Sequence, residues 1–144
     1  MTFDVMVEIP KGSENKYEYD EVKKAMVLDF VFKDGLKFLF NYGFIPNTLG
    51  GDGDTLDVIL LGDKPIASGS MVKARAIGIM RMLDRGEQDD KIIAVEASAP
   101  DEKYDPEALR KFYAEVARQK QKIIEITGFE GADQTEEEIK KAMI

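Results

Sequence analysis

The chain has 144 residues, a formal net charge of −8 at pH 7, and neither cysteine nor histidine. The acidic balance argues against a general nucleic-acid or anionic-membrane binder. The absence of cysteine excludes disulfides, thiolate metal sites and thiol catalysis, and it fits a reducing compartment. The absence of histidine excludes Ser-His triads and zinc sites built on imidazole. Any chemistry must therefore use Asp, Glu, Lys, Arg, Tyr and bound metal ions.

No linker, repeat or low-complexity segment divides the chain, so we expect a single domain over residues 1–144. No apolar run approaches the roughly 20 residues that a membrane span needs. The first residues, Met1–Asp4, lack the basic start and apolar core of a signal peptide. We therefore predict a cytoplasmic protein that binds neither nucleic acid nor membrane.

Short β-like segments fill the first part of the chain. Apolar residues alternate over 5–9, and a second alternation places Lys16, Glu18 and Asp20 on one face of a strand. That face is either a solvated surface or the wall of a pocket in which Lys16 holds an anion. Another strand is predicted over residues 26–32, before a turn at 33–35.

An acidic, glycine-rich loop then precedes the apolar run Val58–Leu61. Asp52, Asp54 and Asp57 fall within six residues, and the apolar run predicts a buried strand with Asp57 at its mouth. Carboxylates held so close repel one another, and oxygen ligands select hard cations such as magnesium, manganese or calcium. The alternative is a polar surface turn. The calcium loop of an EF-hand fits poorly, because Thr55 and Leu56 follow Asp54.

The remaining elements change from β to α. Strands are predicted over residues 71–82 and 92–95, separated by an acidic loop at 84–90, which is either a solvent-facing tip or part of a site. Asp105 and Pro106 predict the start of an amphipathic helix that runs to about Lys122. A short strand at 123–126 follows, stopped by residues 127–128. Thr135 and Glu138 predict a capping box for a short C-terminal helix.

Five segments in this order and spacing resemble the family I soluble inorganic pyrophosphatases. They are Glu8–Pro10, Lys16–Asp20, Asn41–Thr48, Asp52–Val58, and Asp84 with Asp89–Lys91. The resemblance implies a mainly β fold with α-helices: a five-stranded closed β-barrel of the OB type, with two C-terminal helices packed outside it. This agrees with the strand and helix patterns read from the residues.

The resemblance also implies magnesium-dependent hydrolysis of inorganic pyrophosphate to two phosphates by a metal-activated water. Several magnesium ions are implied in each site, with manganese as a substitute. Residues that match the family's metal ligands or lie near the metals are Glu8, Asp52, Asp57, Asp84 and Asp89.

Other matching positions concern the water and the substrate. Asp54 matches a carboxylate that helps to deprotonate the attacking water, and Tyr42 matches an active-site tyrosine. Lys16 and Lys91 match phosphate-binding lysines, and Glu18 matches a supporting acid. The resemblance further implies a homo-oligomer, with a hexamer favoured.

The chain departs from the family pattern where the family contacts phosphate. Phe30 stands in place of an arginine, Phe38 in place of a tyrosine, and Glu115–Val116 in place of a Tyr-Lys pair, with Lys120 or Lys122 as candidate substitutes. Three hypotheses follow. The protein is an inorganic pyrophosphatase, a related hydrolase of another phosphoanhydride or phosphate ester, or a non-catalytic homologue that binds metal or phosphate.

Overall fold

The computed structural model describes all 144 residues. Nine strands and two helices follow one another along the chain: β1 Phe3–Ile9, β2 Asn15–Asp20, β3 Ala25–Val31, β4 Asn41–Ile45, β5 Leu56–Leu60, β6 Met71–Asp84, β7 Glu87–Gln88, β8 Lys91–Glu96, α1 Pro106–Lys120, β9 Ile124–Gly131 and α2 Ala132–Ala142. Neither helix is long and apolar enough to cross a membrane.

Five of the strands form a closed ring. Strand β1 pairs with β4, β4 with β5, β5 with β8, β8 with β6, and β6 again with β1. The pair β5–β8 is parallel and the other four are antiparallel. The predicted five-stranded closed barrel is confirmed. The long strand β6 also pairs with β7 and β9, while β2 and β3 form a separate hairpin beside the ring.

Alternation along the strands divides the apolar residues between two clusters. Val58 and Leu60 of β5 belong to one cluster, which also includes Ile139 of α2, whereas Ile59 belongs to the other. This second cluster includes the buried face of α1, represented by Phe112. Because successive side chains point to opposite faces, each apolar run covers both faces of the ring.

The start of α1 is as predicted, but its end is not. The Asp105 side chain accepts a hydrogen bond from the Glu107 N–H at 2.9 Å, and Pro106 occupies the first turn. The helix ends at Lys120 instead of Lys122, because Gln121 adopts a left-handed conformation with φ +53°. The Lys122 N–H then turns back to the Ala117 carbonyl at 3.0 Å. This left-handed turn satisfies a carbonyl at the helix end.

The capping box predicted for α2 is wrong. The helix begins four residues earlier, at Ala132 instead of Glu136, and its cap residue Gly131 provides no side-chain bond. Thr135 lies inside the helix, fully buried, and its hydroxyl donates to the Gly131 carbonyl at 2.8 Å. Strand β9 continues beyond the predicted stop at 127–128, because a bulge in its pairing with β6 accommodates Thr127.

Gly43 on β4 is required by its contact with β1. A Cβ at this position would stand 1.9 Å from the Met6 carbonyl oxygen, so Gly43→Ala forces the two strands apart. We expect the substitution to lower the free energy of unfolding by about 3 kcal/mol or more. The measurement is urea denaturation followed by circular dichroism.

Gly128→Ala is the matched control, since a Cβ there meets no atom within 4 Å. We expect it to change the free energy of unfolding by less than about 1 kcal/mol. Equal stabilities of the two variants would contradict the role given to Gly43.

Candidate active site

A cleft of about 640 Å³ lies where the β2–β3 hairpin, the acidic loop before β5, the β6–β7 turn and the end of α1 meet. Eight carboxylates and four lysines line it. All of the site residues predicted from the sequence lie along this one cleft: Glu8, Lys16, Glu18, Tyr42, Asp52, Asp54, Asp57, Asp84, Asp89 and Lys91.

Hydrogen bonds within the acidic loop fix its shape. An Asp52 side-chain oxygen accepts a hydrogen bond from the Asp54 N–H at 3.0 Å, and the Asp54 carbonyl accepts one from the Gly50 N–H at 2.7 Å. Gly53 has φ +85°, a conformation that glycine adopts without strain. The loop therefore holds the carboxylates of Asp52 and Asp54 exposed at the cleft, while Asp57 is half-buried in β5.

Lys91 is buried at the base of the cleft between two carboxylates. Its Nζ lies 2.9 Å from Asp57 and 3.0 Å from Asp89. The parallel pairing of β5 with β8 sets Asp57 opposite Lys91, and Nζ is 5.3 Å from the centre of the Tyr42 ring. Burial by itself would lower the pKa of Lys91, but Asp57 above all raises that pKa well above its ordinary value. The side chain therefore stays an ammonium ion.

Glu8 of β1 is a buried carboxyl on the same cleft, near Asp57. Its Oε2 accepts a hydrogen bond from the Tyr19 N–H at 2.8 Å. Burial raises the pKa of Glu8 to about 7; the Tyr19 N–H opposes this rise, and the negative charges of Asp57 and Glu18 add to it. A positive charge entering the cleft would favour the ionised form of Glu8.

Asp84, at the end of β6, is paired with basic side chains. Its carboxylate lies 2.5 Å from the Lys122 Nζ and 3.3 Å from the Arg85 Nε. Burial acts to raise the pKa of Asp84, but its hydrogen bond with Lys122 holds the pKa below the ordinary value. Lys16 of β2 is similarly paired with Asp29, at 2.7 Å.

Nowhere in the chain do three carboxylates converge closely enough to hold a metal ion as they stand. The short spacing of Asp52, Asp54 and Asp57 in sequence does not by itself produce a three-carboxylate cage, because Asp57 faces Lys91 instead. The donors along the cleft are nevertheless oxygen-only and acids outnumber bases, which is the chemistry that hard divalent cations prefer. Binding a cation would require Asp57 and Asp84 to turn from their lysines.

Several cleft residues were not predicted from the sequence. Tyr19 and Glu21 line the cleft, whereas Asp20 does not, because its side chain accepts the N–H groups of Val22 and Lys23 in the hairpin turn. The pairing of β2 with β3 is irregular at this point: Lys16 lies opposite Phe30 and Tyr17 opposite Leu28, so Asp29 of β3 is the extra residue of a bulge. No local sequence signal marks this bulge.

The positions that depart from the family pattern supply no polar contact in the cleft. Phe38 and Val116 are buried in the apolar cluster with α1, and the rings of Phe38 and Phe112 are 5.1 Å apart. Phe30 is half-buried against Phe32, 5.0 Å between ring centres. Glu115 is bound to Arg118 instead.

Comparison with known proteins identifies one family over nearly the whole chain. A family model described as inorganic pyrophosphatase matches residues 5–144. Soluble inorganic pyrophosphatase 3 of Arabidopsis thaliana is 37% identical to this chain, over 99% of the chain and 71% of the relative. The inorganic pyrophosphatase of Synechocystis is 36% identical, over 90% of the chain and 83% of the relative.

Solved structures agree with these sequence matches. The inorganic pyrophosphatase of Thermus thermophilus superposes with a TM-score of 0.86 at 32% identity, over 99% of this chain and 89% of the other. That of Helicobacter pylori gives the same TM-score and identity, over 99% and 91% of the two chains.

The buried pairing of Lys91 predicts a large loss of stability when its charge is removed. Lys91→Met leaves Asp57 and Asp89 without their partner, so we expect the free energy of unfolding to fall by about 3 kcal/mol. The measurement is urea denaturation in the presence of a chelator, which keeps divalent cations from bridging the two acids.

Lys73→Met is the control, because Lys73 pairs with Asp4 on the same sheet with both side chains more than half exposed. We expect a change of less than about 1 kcal/mol there. Similar losses in the free energy of unfolding for Lys91→Met and Lys73→Met would mean that Lys91 does not compensate the buried charges of Asp57 and Asp89.

Proposed function

The chain belongs to the inorganic pyrophosphatase family, and from this we propose that it hydrolyses inorganic pyrophosphate to two phosphate ions with divalent cations, magnesium foremost. The observation that carries the proposal is the single cleft in which the acidic loop, the β6–β7 turn and the lysines of β2 and β8 meet. A cleft rich in both carboxylates and lysines suits an anionic substrate that arrives with cations. Family membership favours this reaction over the other two hypotheses.

The carboxylates would hold the cations. Pyrophosphate carries negative charge on both phosphates and repels a nucleophile, and a bound divalent cation would neutralise substrate oxygens and lower the pKa of water. The residues proposed to hold the cations are Glu8, Asp52, Asp57, Asp84 and Asp89. The raised pKa of Glu8 supports this role, since burial and neighbouring acids disfavour its charge until a cation compensates.

Asp54 is proposed to accept the proton of the attacking water. The water oxygen forms a bond to one phosphorus, the bridging P–O bond breaks, and the bridging oxygen leaves with the second phosphate. The exposed carboxylate of Asp54 makes no ion pair in the structure, so its oxygens are available to receive that proton.

Lys91, Lys16 and Tyr42 are proposed to contact phosphate oxygens. Asp57 and Asp89 use two of the three N–H donors of Lys91 in this structure, so at least one is available for the substrate, and a second becomes available when Asp57 turns to a cation. Burial raises the pKa of Tyr42 well above its ordinary value, so its hydroxyl keeps its proton and can donate. Glu18, next to Tyr19 along the cleft, would orient these groups as a supporting acid.

Magnesium as the preferred ion, manganese as its substitute, a homo-oligomer with a hexamer favoured, and a cytoplasmic location stay predictions. Light scattering would measure the assembly directly. Comparing turnover in magnesium and manganese would establish the preferred ion.

Turnover of pyrophosphate with an Asp54 variant is the central test. We expect wild-type protein to release phosphate only when magnesium is present, and Asp54→Asn to lower kcat by about 10²–10⁴-fold because the proton acceptor is removed. The measurement is phosphate release from pyrophosphate with and without magnesium.

Asp63→Asn is the matched control, since Asp63 is exposed on another loop outside the cleft. It should retain wild-type turnover. Full activity of Asp54→Asn would refute the role of Asp54, and an inactive wild-type protein would refute the proposed function.

Metal binding by the acidic loop predicts a thermal shift. A ligand present at 100 times its Kd stabilises the folded state by about 2.7 kcal/mol, so saturating magnesium should raise the Tm by roughly 5–10 °C. Asp52 is exposed, and Asp52→Asn should reduce this shift while leaving the Tm without magnesium almost unchanged. Differential scanning calorimetry with and without magnesium measures both quantities, and an undiminished shift would remove Asp52 from the ligands.

A further inference from the structure

Three lysines converge at the end of the cleft formed by α1 and the β2–β3 hairpin. Lys16 Nζ lies 2.7 Å from Asp29, and Lys120 Nζ lies 3.9 Å from the same carboxylate oxygen. Lys122 Nζ lies 2.5 Å from Asp84. All three lysines line the cleft.

The positive charges in this group outnumber the acids that face them. Lys16 and Lys120 share Asp29, and Lys122 pairs with Asp84, so the group carries an excess positive charge. The pKa of Lys120 is lowered, chiefly by burial and then by the positive charges of Lys16 and Lys122. An anion placed among them would relieve this repulsion.

The end of α1 positions two of these lysines at the cleft. The left-handed Gln121 reverses the chain, so that Lys120 before it and Lys122 after it both face the cleft. Gln119 anchors this end by exchanging two hydrogen bonds with the backbone of Lys33, at 2.8 and 2.9 Å. The side chain of Lys120 is further supported by Phe30, whose ring centre lies 5.6 Å from Nζ.

We propose that Lys16, Lys120 and Lys122 form a cradle for one phosphate group of the substrate, with Lys120 and Lys122 as substrate-binding residues. The inference rests on the proposed function for the identity of the ligand. It explains how the cleft binds phosphate although Phe30, Phe38 and Val116 pack against apolar groups. The positively charged side chains that replace those contacts come instead from the end of α1.

A purely structural role would give a different result. Positively charged lysines at the C-terminus of a helix interact favourably with the helix dipole. Lys120 and Lys122 also neutralise the charges of Asp29 and Asp84. If that were their whole role, replacing them would lower stability without changing the affinity for a phosphate ligand. Affinity must therefore be measured apart from turnover and apart from stability.

The test measures by calorimetry, in the presence of magnesium, how tightly each protein binds imidodiphosphate, in which nitrogen replaces the bridging oxygen of pyrophosphate. The variants are Lys120→Gln, Lys122→Gln and the double variant. We expect each single variant to bind about 10- to 100-fold more weakly than wild type, and the double variant more weakly still. Lys120→Arg keeps the charge and should restore most of the affinity. Lys111→Gln, an exposed lysine on the same helix, is the control and should bind like wild type.

The outcomes separate this inference from the proposed function. Unchanged affinity in folded Lys120→Gln and Lys122→Gln, with wild-type turnover of pyrophosphate intact, would overturn the cradle and leave the function standing. Loss of affinity in both variants, with a wild-type protein that binds imidodiphosphate but does not hydrolyse pyrophosphate, would support the cradle and overturn the function. Should one variant fail to fold, the other carries the same comparison.

Discussion

The buried ammonium of Lys91 between Asp57 and Asp89 is the interaction on which the cleft depends. It exists because β5 and β8 are parallel neighbours whose register sets Asp57 opposite Lys91. That register is in turn fixed by packing, since Val58 and Leu60 fill one cluster and Ile59 the other. A slip of one residue would exchange these faces, so the apolar core determines where the charges meet.

A second basic side chain, that of Arg81, joins elements around the ring. Arg81 of β6 binds Asp90 at 2.8 Å, Glu130 of β9 at 2.5 Å and Glu138 of α2 at 2.7 Å. It thereby connects Asp90, which lies between β7 and β8, with β9 and α2.

Acids and bases have different positions in the cleft. Six of the eight carboxylates come from the ring and its loops, and Glu18 and Glu21 come from the β2–β3 hairpin, whereas two of the four lysines come from the end of α1. Phe30, Phe38 and Val116 join the packing around that helix. The aromatic contacts of Phe38 with Phe112 and Tyr42, at 5.1 and 6.0 Å, place the helix against the wall of the cleft. Apolar packing thus positions the basic groups that the substrate would meet.

The sequence by itself predicted strands β1, β2, β3, β5, β6 and β8 and the start of α1, because period-two alternation, apolar runs and the Asp105 cap are local signals. The resemblance of its carboxylate-rich segments to one family gave ten of the cleft residues. The sequence predicted neither β4 nor β7. It did not determine the start of α2, where burial of Thr135 overrides its capping preference. Nor did it reveal that Asp57 faces Lys91, or that Lys16 and Lys120 share Asp29. Only the tertiary structure decided these, because ion pairs between distant segments depend on strand register and helix placement, which no local pattern contains.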